Sequence, residues 1–505
     1  MARVFTLKHF FAFVAAPALF IYILFFTSLA PGNPAVSATL AVAVLMAIWW
    51  ITEIIPLAVT SLLPVVLFPL LGIMDGKDVS ATYFNHVIFL FIGGFLVALA
   101  MQRWNLHRRI ALKILIFAGA SPGRILLGFM LATAFLSMWI SNTATAMMMI
   151  PILVSVIGKL EESLDKKSVS RYSIGLLLGV AYSASVGGIA TLVGTPPNLS
   201  FARIFQIMFP EAPEVSFASW FLFAAPISIT FFIIIWVYLM ILFKPKKGVW
   251  MQNGKEIFRK QYNELGPVTF EERFIFIDFI LLAILWLFRS DLQFGNFLIP
   301  GWSNLFSHPE YINDGTVAIL MSGLLFFIPS RNDKGSRLMT WKTAAKIPWN
   351  IVLLFGGGFA LASGFKESGL STWFGEQLSW VVNYHPIFII FIIALTMTFL
   401  TELTSNTATT EMLLPILAGL SLSTGMHPLL FMLPATLSAS MAFMLPVATP
   451  PNAIVFGSDR IRVADMARAG LLLNLIGAVL VTLATYYYSR IVFDFNIFEM
   501  PGWAQ

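Results

Sequence analysis

Two tripeptides set neutral oxygens into otherwise apolar sequence. Ser141-Asn142-Thr143 lies within WISNTATAMMMIPIL (139–153), and Ser405-Asn406-Thr407 follows it at an offset of 264. Two tetrapeptides, Thr195-Pro196-Pro197-Asn198 and Thr449-Pro450-Pro451-Asn452, recur in the same order at an offset of 254. Ser, Thr and Asn oxygens can ligate a hard cation, and their hydroxyl and amide hydrogens can hold an anion. Proline lacks an N–H and disfavours helix in the residue before it, so each tetrapeptide should interrupt a helix. Unwound carbonyls add cation ligands, and half-helix N-termini favour anions. No Lys or Arg lies between Arg124 and Lys159, or between Lys366 and Arg460. An anion held there within a bilayer would be costly unless a bound cation balanced it. Sodium would do so and would couple the two solutes. One Ser-Asn-Thr alone is better explained by hydrogen bonding between spans. Two copies, each matched with a Pro-Pro break, point instead to a site.

The elements that must position these residues are membrane helices. The 505 residues are 58% hydrophobic and 11% charged, with a mean hydropathy of +0.84; soluble domains carry about 25% charged residues. Apolar runs of about 20 residues recur along the chain, enough to cross a bilayer core of roughly 30 Å. The 48 Phe and 14 Trp suit lipid-facing and interfacial surfaces. The first run, about Phe10 to Leu29, follows Arg3 and Lys8 and exceeds a signal-peptide core, so it reads as a first spanning helix. With no Cys there is no disulfide framework, and the redox compartment is open. The basic excess is a topology signal rather than a nucleic-acid one. With the N-terminus cytoplasmic and alternating spans, the inner segments collect all but five of the 31 Lys and Arg; the exceptions are Lys77, Arg203, Arg289, Lys366 and Arg490. This places the C-terminus outside; with no organelle-targeting segment evident, the plasma (inner) membrane is the expected location of this multi-pass protein.

The chain reads as a duplication. FIGGFLVALAMQRWNL (91–106) and FGGGFALASGFKESGL (355–370) align at the same offset of 264 as the tripeptides. The span at 86–102 leads into RWNLHRRIALK, whereas that at 350–365 follows RNDKGSRLMTWKTAAK, so the copies are inverted relative to the membrane. As one straight helix, Ile125 to Leu160 would be about 54 Å long at 1.5 Å per residue. Two half-length helices meeting near Ser141-Asn142-Thr143 resolve the mismatch, and 386–419 does the same from the other face. The segments 172–209 and 429–458 are each expected to be one span interrupted at its Thr-Pro-Pro-Asn. The fold class is an all-α polytopic membrane protein of about 11 transmembrane helices plus two re-entrant helical hairpins, built as an inverted-topology repeat. The expected organisation is 1–85 scaffold helices, 86–215 first repeat, 216–349 connecting scaffold spans and cytoplasmic loops, 350–460 second repeat, and 461–505 last span and tail.

SNTATAMMMIP, SNTATTEMLLP, GTPPN, ATPPN and WWITEIIPLAVTSLLP resemble the divalent anion:sodium symporter family, which includes sodium-dicarboxylate and sodium-citrate carriers. The resemblance spans nearly the whole chain. It implies a homodimer in the lipid bilayer, with a scaffold domain and an elevator-type transport domain. It also implies one sodium site at Ser137, Ser141, Asn142 and the backbone of Gly194, and another at Thr401, Ser405, Asn406 and the backbone of Ala448. Ser137 and Thr401 share the offset of 264. The substrate carboxylates would meet Asn142, Thr143, Asn406 and Thr407, with Thr195, Pro196, Thr449 and Pro450 lining the pocket. Exchanging branches of the family carry altered second motifs such as Ala-Ala-Pro-Asn. Both Thr are kept here, which favours symport. The expected function is import of C4-dicarboxylates such as succinate, malate or fumarate with sodium (Na+). The alternatives are a sodium-independent dicarboxylate exchanger, a citrate or sulfate carrier and, from another class, a membrane enzyme or channel.

Glu53, Glu402 and Glu411 stand in apolar surroundings, where a carboxylate is a functional candidate. Glu402 has Met138 as its repeat partner and reads as a structural, hydrogen-bonded group, or else as a tuner of the second sodium site or a proton carrier. Glu53 reads as structural at a span end. The six His lack metal-ligand spacing, and no Gly-rich phosphate loop followed by Lys appears, which argues against an intramembrane metalloenzyme and ATP-driven transport. The glycine runs read as close helix packing. The basic amphipathic stretch 103–118 is expected along the inner surface, and 244–272 as a solvated connection.

Overall fold

The computed structural model describes residues 7–119, 121–163, 166–243, 254–294 and 297–504. Arg3, the Gln505 terminus and the first part of the expected connection at 244–272 lie outside the described residues. The chain opens with α1 (Leu7–Phe26) and α2 (Pro34–Thr52), then the short α3 (Leu57–Thr60), α4 (Leu63–Leu70) and α5 (Gly76–Ala81). The first copy comprises α6 (His86–Arg103), α7 (Leu106–Ala118), α8 (Pro122–Ser137), α9 (Asn142–Ser163), α10 (Lys166–Ile189) and α11 (Pro196–Met208). Between the copies come α12 (Phe217–Leu242), α13 (Gly254–Glu264), α14 (Phe270–Leu287), α15 (Asp314–Leu324) and α16 (Trp341–Ala344). The second copy repeats the order with α17 (Trp349–Ser368), α18 (Leu370–Leu378), α19 (Pro386–Thr401), α20 (Asn406–Thr424), α21 (Leu429–Ala439) and α22 (Pro450–Phe456), and α23 (Val463–Leu483) follows. The strand content among the described residues is one small antiparallel hairpin, Leu292–Phe294 with Phe297–Ile299. Six described helices are long and apolar enough to cross a membrane by length and composition.

The two copies pack alike. The first arm of each hairpin lies on the first half of its own broken helix: α8 on α10, and α19 on α21. The second halves cross over, so that α11 packs on α20 and α22 packs on α9. Each Thr-Pro-Pro-Asn helix therefore rests on the second hairpin arm of the opposite copy. Glycines permit the closest approaches. A Cβ at Gly93 would fall 2.5 Å from that of Ala318 on α15, one at Gly357 2.5 Å from that of Ser61, and one at Gly358 into the Glu411 carboxyl.

The two hairpin arms divide the stretch around Ser141-Asn142-Thr143 about in half: α8 has 16 residues and α9 has 22, the charged turn with Lys159, Glu161 and Glu162 prolonging α9 past its apolar part. One expectation changes. Part of 244–272 is the helix α13, whose Phe258 is buried and meets Phe129 edge-on at 6.0 Å. The amphipathic α7 turns one face into the protein. Its Arg109 Nε donates to Glu272 Oε1 at 2.8 Å, and Glu272 also accepts from the Thr269 N–H to cap α14. A buried pair of this kind holds only because both partners are hydrogen-bonded.

Candidate binding site at the helix breaks

Each hairpin tip gathers three oxygens around a single hydroxyl proton. In the first copy Ser137, the last residue of α8, places Oγ 2.5 Å from Asn142 Oδ1 and 2.7 Å from the Ala184 carbonyl of α10. In the second, Thr401 Oγ1 lies 2.6 Å from Asn406 Oδ1 and 2.9 Å from the Ala439 carbonyl of α21. A hydroxyl has one proton to donate, so in each group one close oxygen pair has no hydrogen between its members. With the amides so oriented, each group is an electron-rich nook of neutral oxygens, the donor chemistry a small hard cation takes. Ser137 and Thr401 are fully buried, while Asn142 and Asn406 are half-buried.

The local sequence makes these tips. Ser141 caps α9, its Oγ accepting from the Ala144 N–H at 3.3 Å. Ser405 stands at the N-cap of α20 with extended backbone, and its carbonyl accepts from the Thr409 N–H at 2.9 Å. Both second arms thus start at the tip and aim unpaired N–H groups at it. The broken helices deliver their ends to the same places. Thr195 and Thr449 are extended N-cap residues, followed by Pro-Pro at the first helical positions of α11 and α22. Thr449 Oγ1 accepts from the Asn452 N–H at 3.3 Å.

The asparagine that ends each tetrapeptide fixes the unwound segment before it. Asn198 Nδ2 lies 3.3 Å from the Gly188 carbonyl, 3.2 Å from that of Ile189 and 2.7 Å from that of Thr191. Asn452 Nδ2 lies 3.1 Å from the Ala442 carbonyl and 3.0 Å from that of Leu445. Gly188 leaves room for the site: a Cβ there would sit 2.7 Å from Asn142 Oδ1 and 3.1 Å from the Gly194 carbonyl. Asn142 and the Gly194 backbone therefore lie close to one another around Gly188.

The remaining expected residues fall at the same four chain breaks. Thr143 and Pro196 are half-buried; Gly194, Thr195, Thr407, Ala448 and Thr449 are buried; Pro450 is exposed. The hydrogen bonds described above do not include Thr143, Thr407 or Pro450. Arg109–Glu272 and Arg289–Asp314 are ion pairs on other elements, Arg460–Glu161 lies at the end of α9 away from its tip, and no described salt bridge includes a tip residue.

Glu402 is spent on structure. It is buried and accepts from the N–H groups of Phe443, Met444 and Leu445 at 2.7, 2.8 and 2.9 Å, and from Asn474 Nδ2 at 2.8 Å. Sequence reasoning passed over Gly188, Thr191, Asn198, Asn452 and Asn474. The two tetrapeptide asparagines carried a usable signal, since they repeat at the offset of 254. Asn474 carried none.

A family model described as the sodium:sulfate symporter transmembrane region matches residues 7–494. The sodium-dependent dicarboxylate transporter SdcS of Staphylococcus saprophyticus is 44% identical over 453 residues, 89% of this chain and 85% of that protein. SdcS of Staphylococcus aureus strain NCTC 8325 is 43% identical over 463 residues, 91% of this chain and 87% of that one. Among solved structures, Neisseria gonorrhoeae MtrF, of a class of antimetabolite efflux pumps, aligns with a TM-score of 0.55 at 11% identity, covering 94% of this chain and 97% of its own. The Alcanivorax borkumensis YdaH transporter aligns at 0.52 and 12% identity, covering 89% and 98%. At such identities the likeness speaks for the fold alone.

Proposed function

The chain belongs to the divalent anion:sodium symporter family, and from that premise we propose that it imports C4-dicarboxylates such as succinate, malate or fumarate together with sodium. It is a membrane transporter, not an enzyme. The observation that carries the substrate reading is the duplicated oxygen nook at Ser137, Asn142 and Ala184 and at Thr401, Asn406 and Ala439. Sodium, as cargo, sits in the two nooks, the first completed by Ser141 and the Gly194 backbone and the second by Ser405 and the Ala448 backbone. The carboxylates take the amide and hydroxyl hydrogens of Asn142, Thr143, Asn406 and Thr407, between Thr195-Pro196 and Thr449-Pro450. The positive ends of α9, α11, α20 and α22 add to the attraction. Without sodium, a dianion there would face carbonyl and hydroxyl lone pairs with no basic side chain to offset them. Each solute lowers the cost of the other, which is the coupling.

In the same reading residues 86–215 and 350–460 are the inverted repeats, and the helices of 1–85, 216–349 and 461–505 form the scaffold. The chain works as an elevator-type homodimer in the plasma membrane, with a cytoplasmic N-terminus and an outer C-terminus. Uptake of labelled succinate into proteoliposomes, with and without a sodium gradient and with citrate and sulfate as competitors, tests it. Saturable uptake that needs sodium and is blocked by unlabelled dicarboxylate is expected. Uptake that ignores sodium and needs internal dicarboxylate overturns symport in favour of exchange.

A further inference from the structure

Glu411 is the buried carboxyl that neither the fold nor the site has accounted for. Unlike Glu402, with its four donors, Glu411 accepts one hydrogen bond, from Ser200 Oγ at 3.0 Å. Its other oxygen, Oε2, is buried without a hydrogen-bond partner, and the residue is fully buried. The α17 backbone at Gly358 closes against the carboxyl so tightly that a Cβ would overlap it. Asp278 also has unpartnered buried oxygens, but no described hydrogen bond ties it to an element of the site.

The position of Glu411 is what matters. It lies four residues after Thr407, about 6 Å further along the same face of α20. Ser200 lies four residues after Pro196, equally about one turn into α11. The Ser200–Glu411 bond therefore joins the two crossing helices one turn behind the ends that the proposed site uses. An ionised carboxylate here would repel a dianion at the tip and compete with it for the same helix-end potentials, in a region that screens poorly. A lone hydroxyl donor and a glycine backbone do not stabilise such a charge.

Resting on the dicarboxylate reading above, we infer that Glu411 is a proton-binding site of the carrier, and that the hairpin seats against α11 for transport with this carboxyl neutral. The step is a dissociation only: the carboxyl O–H breaks, the electron pair stays on oxygen and the proton leaves to water.

The groups that could bias it are few. Tyr83 packs against the α17 backbone at Gly356, and its hydroxyl donates to the Ser61 carbonyl at 2.5 Å. On α11, Arg203 donates to Gln206; on α17, Lys366 Nζ donates to the Ile207 carbonyl at 2.9 Å and Glu367 is exposed. On α18, Glu376 is exposed. The segments of α2, α19 and α21 packed on α20 carry no Asp, Glu, His, Lys or Arg.

The test is sodium-driven succinate uptake by the full chain in proteoliposomes, with inner and outer pH equal and stepped from about 7 to about 10, where the substrate stays a dianion and a free carboxyl is ionised. Wild-type uptake should fall by about tenfold per pH unit past a midpoint. Glu411→Gln, fixed neutral, should lose that alkaline limb. Ser200→Ala removes the donor that favours the ionised form and should move the limb to higher pH. An infrared difference spectrum between neutral and alkaline samples should show loss of a carboxylic-acid carbonyl band in the wild type that is missing from Glu411→Gln. An unchanged limb in Glu411→Gln, or loss of its uptake at every pH in a monodisperse protein, overturns the proposal. If Glu411→Gln does not fold, an unmoved limb in Ser200→Ala or an infrared spectrum without the carboxylic-acid band does so. In each of these outcomes the sodium dependence of the wild type still stands, whereas wild-type protein that takes up no succinate removes the carrier reading itself.

Discussion

The two copies put the same three oxygens at their tips but end their broken helices differently. In the first copy α10 runs five residues past Ala184, to Ile189; in the second α21 stops at Ala439, the equivalent residue. Position 138 is Met and position 402 is Glu. The Glu402 carboxylate captures three successive N–H groups, those of residues 443–445. Helix would need those same donors, so a side-chain acceptor that takes them ends it. Where Met138 stands no such acceptor exists, and the helix continues for another turn. There the link between tip and break has the opposite polarity: Thr191 Oγ1 donates to the Met138 carbonyl at 2.5 Å. Exposure differs too. Trp139 of the first tip meets Phe279 edge-on at 4.8 Å and stacks on Phe217, whereas its counterpart Leu403 is 70% exposed. Val193 is 8% exposed and its counterpart Val447 is 81% exposed. The copies thus share ligand chemistry and differ in what braces it and in which side is open.

The shared part is broken most severely at the asparagines. Asn142→Ala and Asn406→Ala should each lower sodium-driven succinate uptake at least about 100-fold, since each removes an oxygen from a nook and an amide from the proposed substrate pocket in one step. Protein yield and elution profile should stay unchanged, because both side chains are half-buried at chain breaks rather than within the packed core. Near-normal uptake in one of the two would show that the copies are not chemically equivalent.

The braces come next. Glu402→Met writes the first-copy residue into the second. It leaves three backbone N–H groups and Asn474 without their acceptor and should cost roughly 3–5 kcal/mol, seen as a lower melting temperature in detergent. Asn474→Ala, which removes one donor of the set, should cost about 1–2 kcal/mol. A Glu402→Met protein that melts like wild type would mean the carboxylate is not what holds residues 443–445.

How far the sequence foretold this can be traced residue by residue. The helical membrane class, the two hairpins and the two breaks were legible, because proline, a missing cation and a repeat offset are local signals. Ser137 and Thr401 came from the resemblance, and their common offset agreed. The Glu402 brace was only half legible. Its burial was plain, but its donors lie 41 to 43 residues away, on a segment whose unwinding it brings about itself. The helix α13 was missed because its apolar residues, such as Phe258, are few and its partner Phe129 is distant in sequence.

A subtler difference is access. The natural chain has no Cys, so single cysteines report cleanly. Val447→Cys should react with a small charged thiol reagent about tenfold faster than Val193→Cys, following exposures of 81% and 8%. Equal rates would mean that in the membrane both copies open alike. Sodium and succinate together should slow the Val447→Cys reaction, because the proposed site lies two residues on, at Thr449.

The smallest effect belongs to the one backbone-ligand position where the copies differ in residue type. Gly194 and Ala448 are each expected to offer a backbone carbonyl. At Gly194 an added Cβ would fall 2.5 Å from the Gly188 carbonyl and force that segment apart. Gly194→Ala should therefore raise the sodium concentration for half-maximal uptake about tenfold. The second copy already holds Ala448 and opens its break earlier, with Ala442 in place of Gly188. Ala448→Gly removes a methyl group, keeps the carbonyl and adds backbone freedom worth about 0.5–1 kcal/mol. Uptake should change by less than about threefold, with an unchanged sodium requirement. A large loss in Ala448→Gly would mean that this methyl packs the second site as tightly as its absence packs the first, and the difference in how the two copies unwind would then have no bearing on sodium.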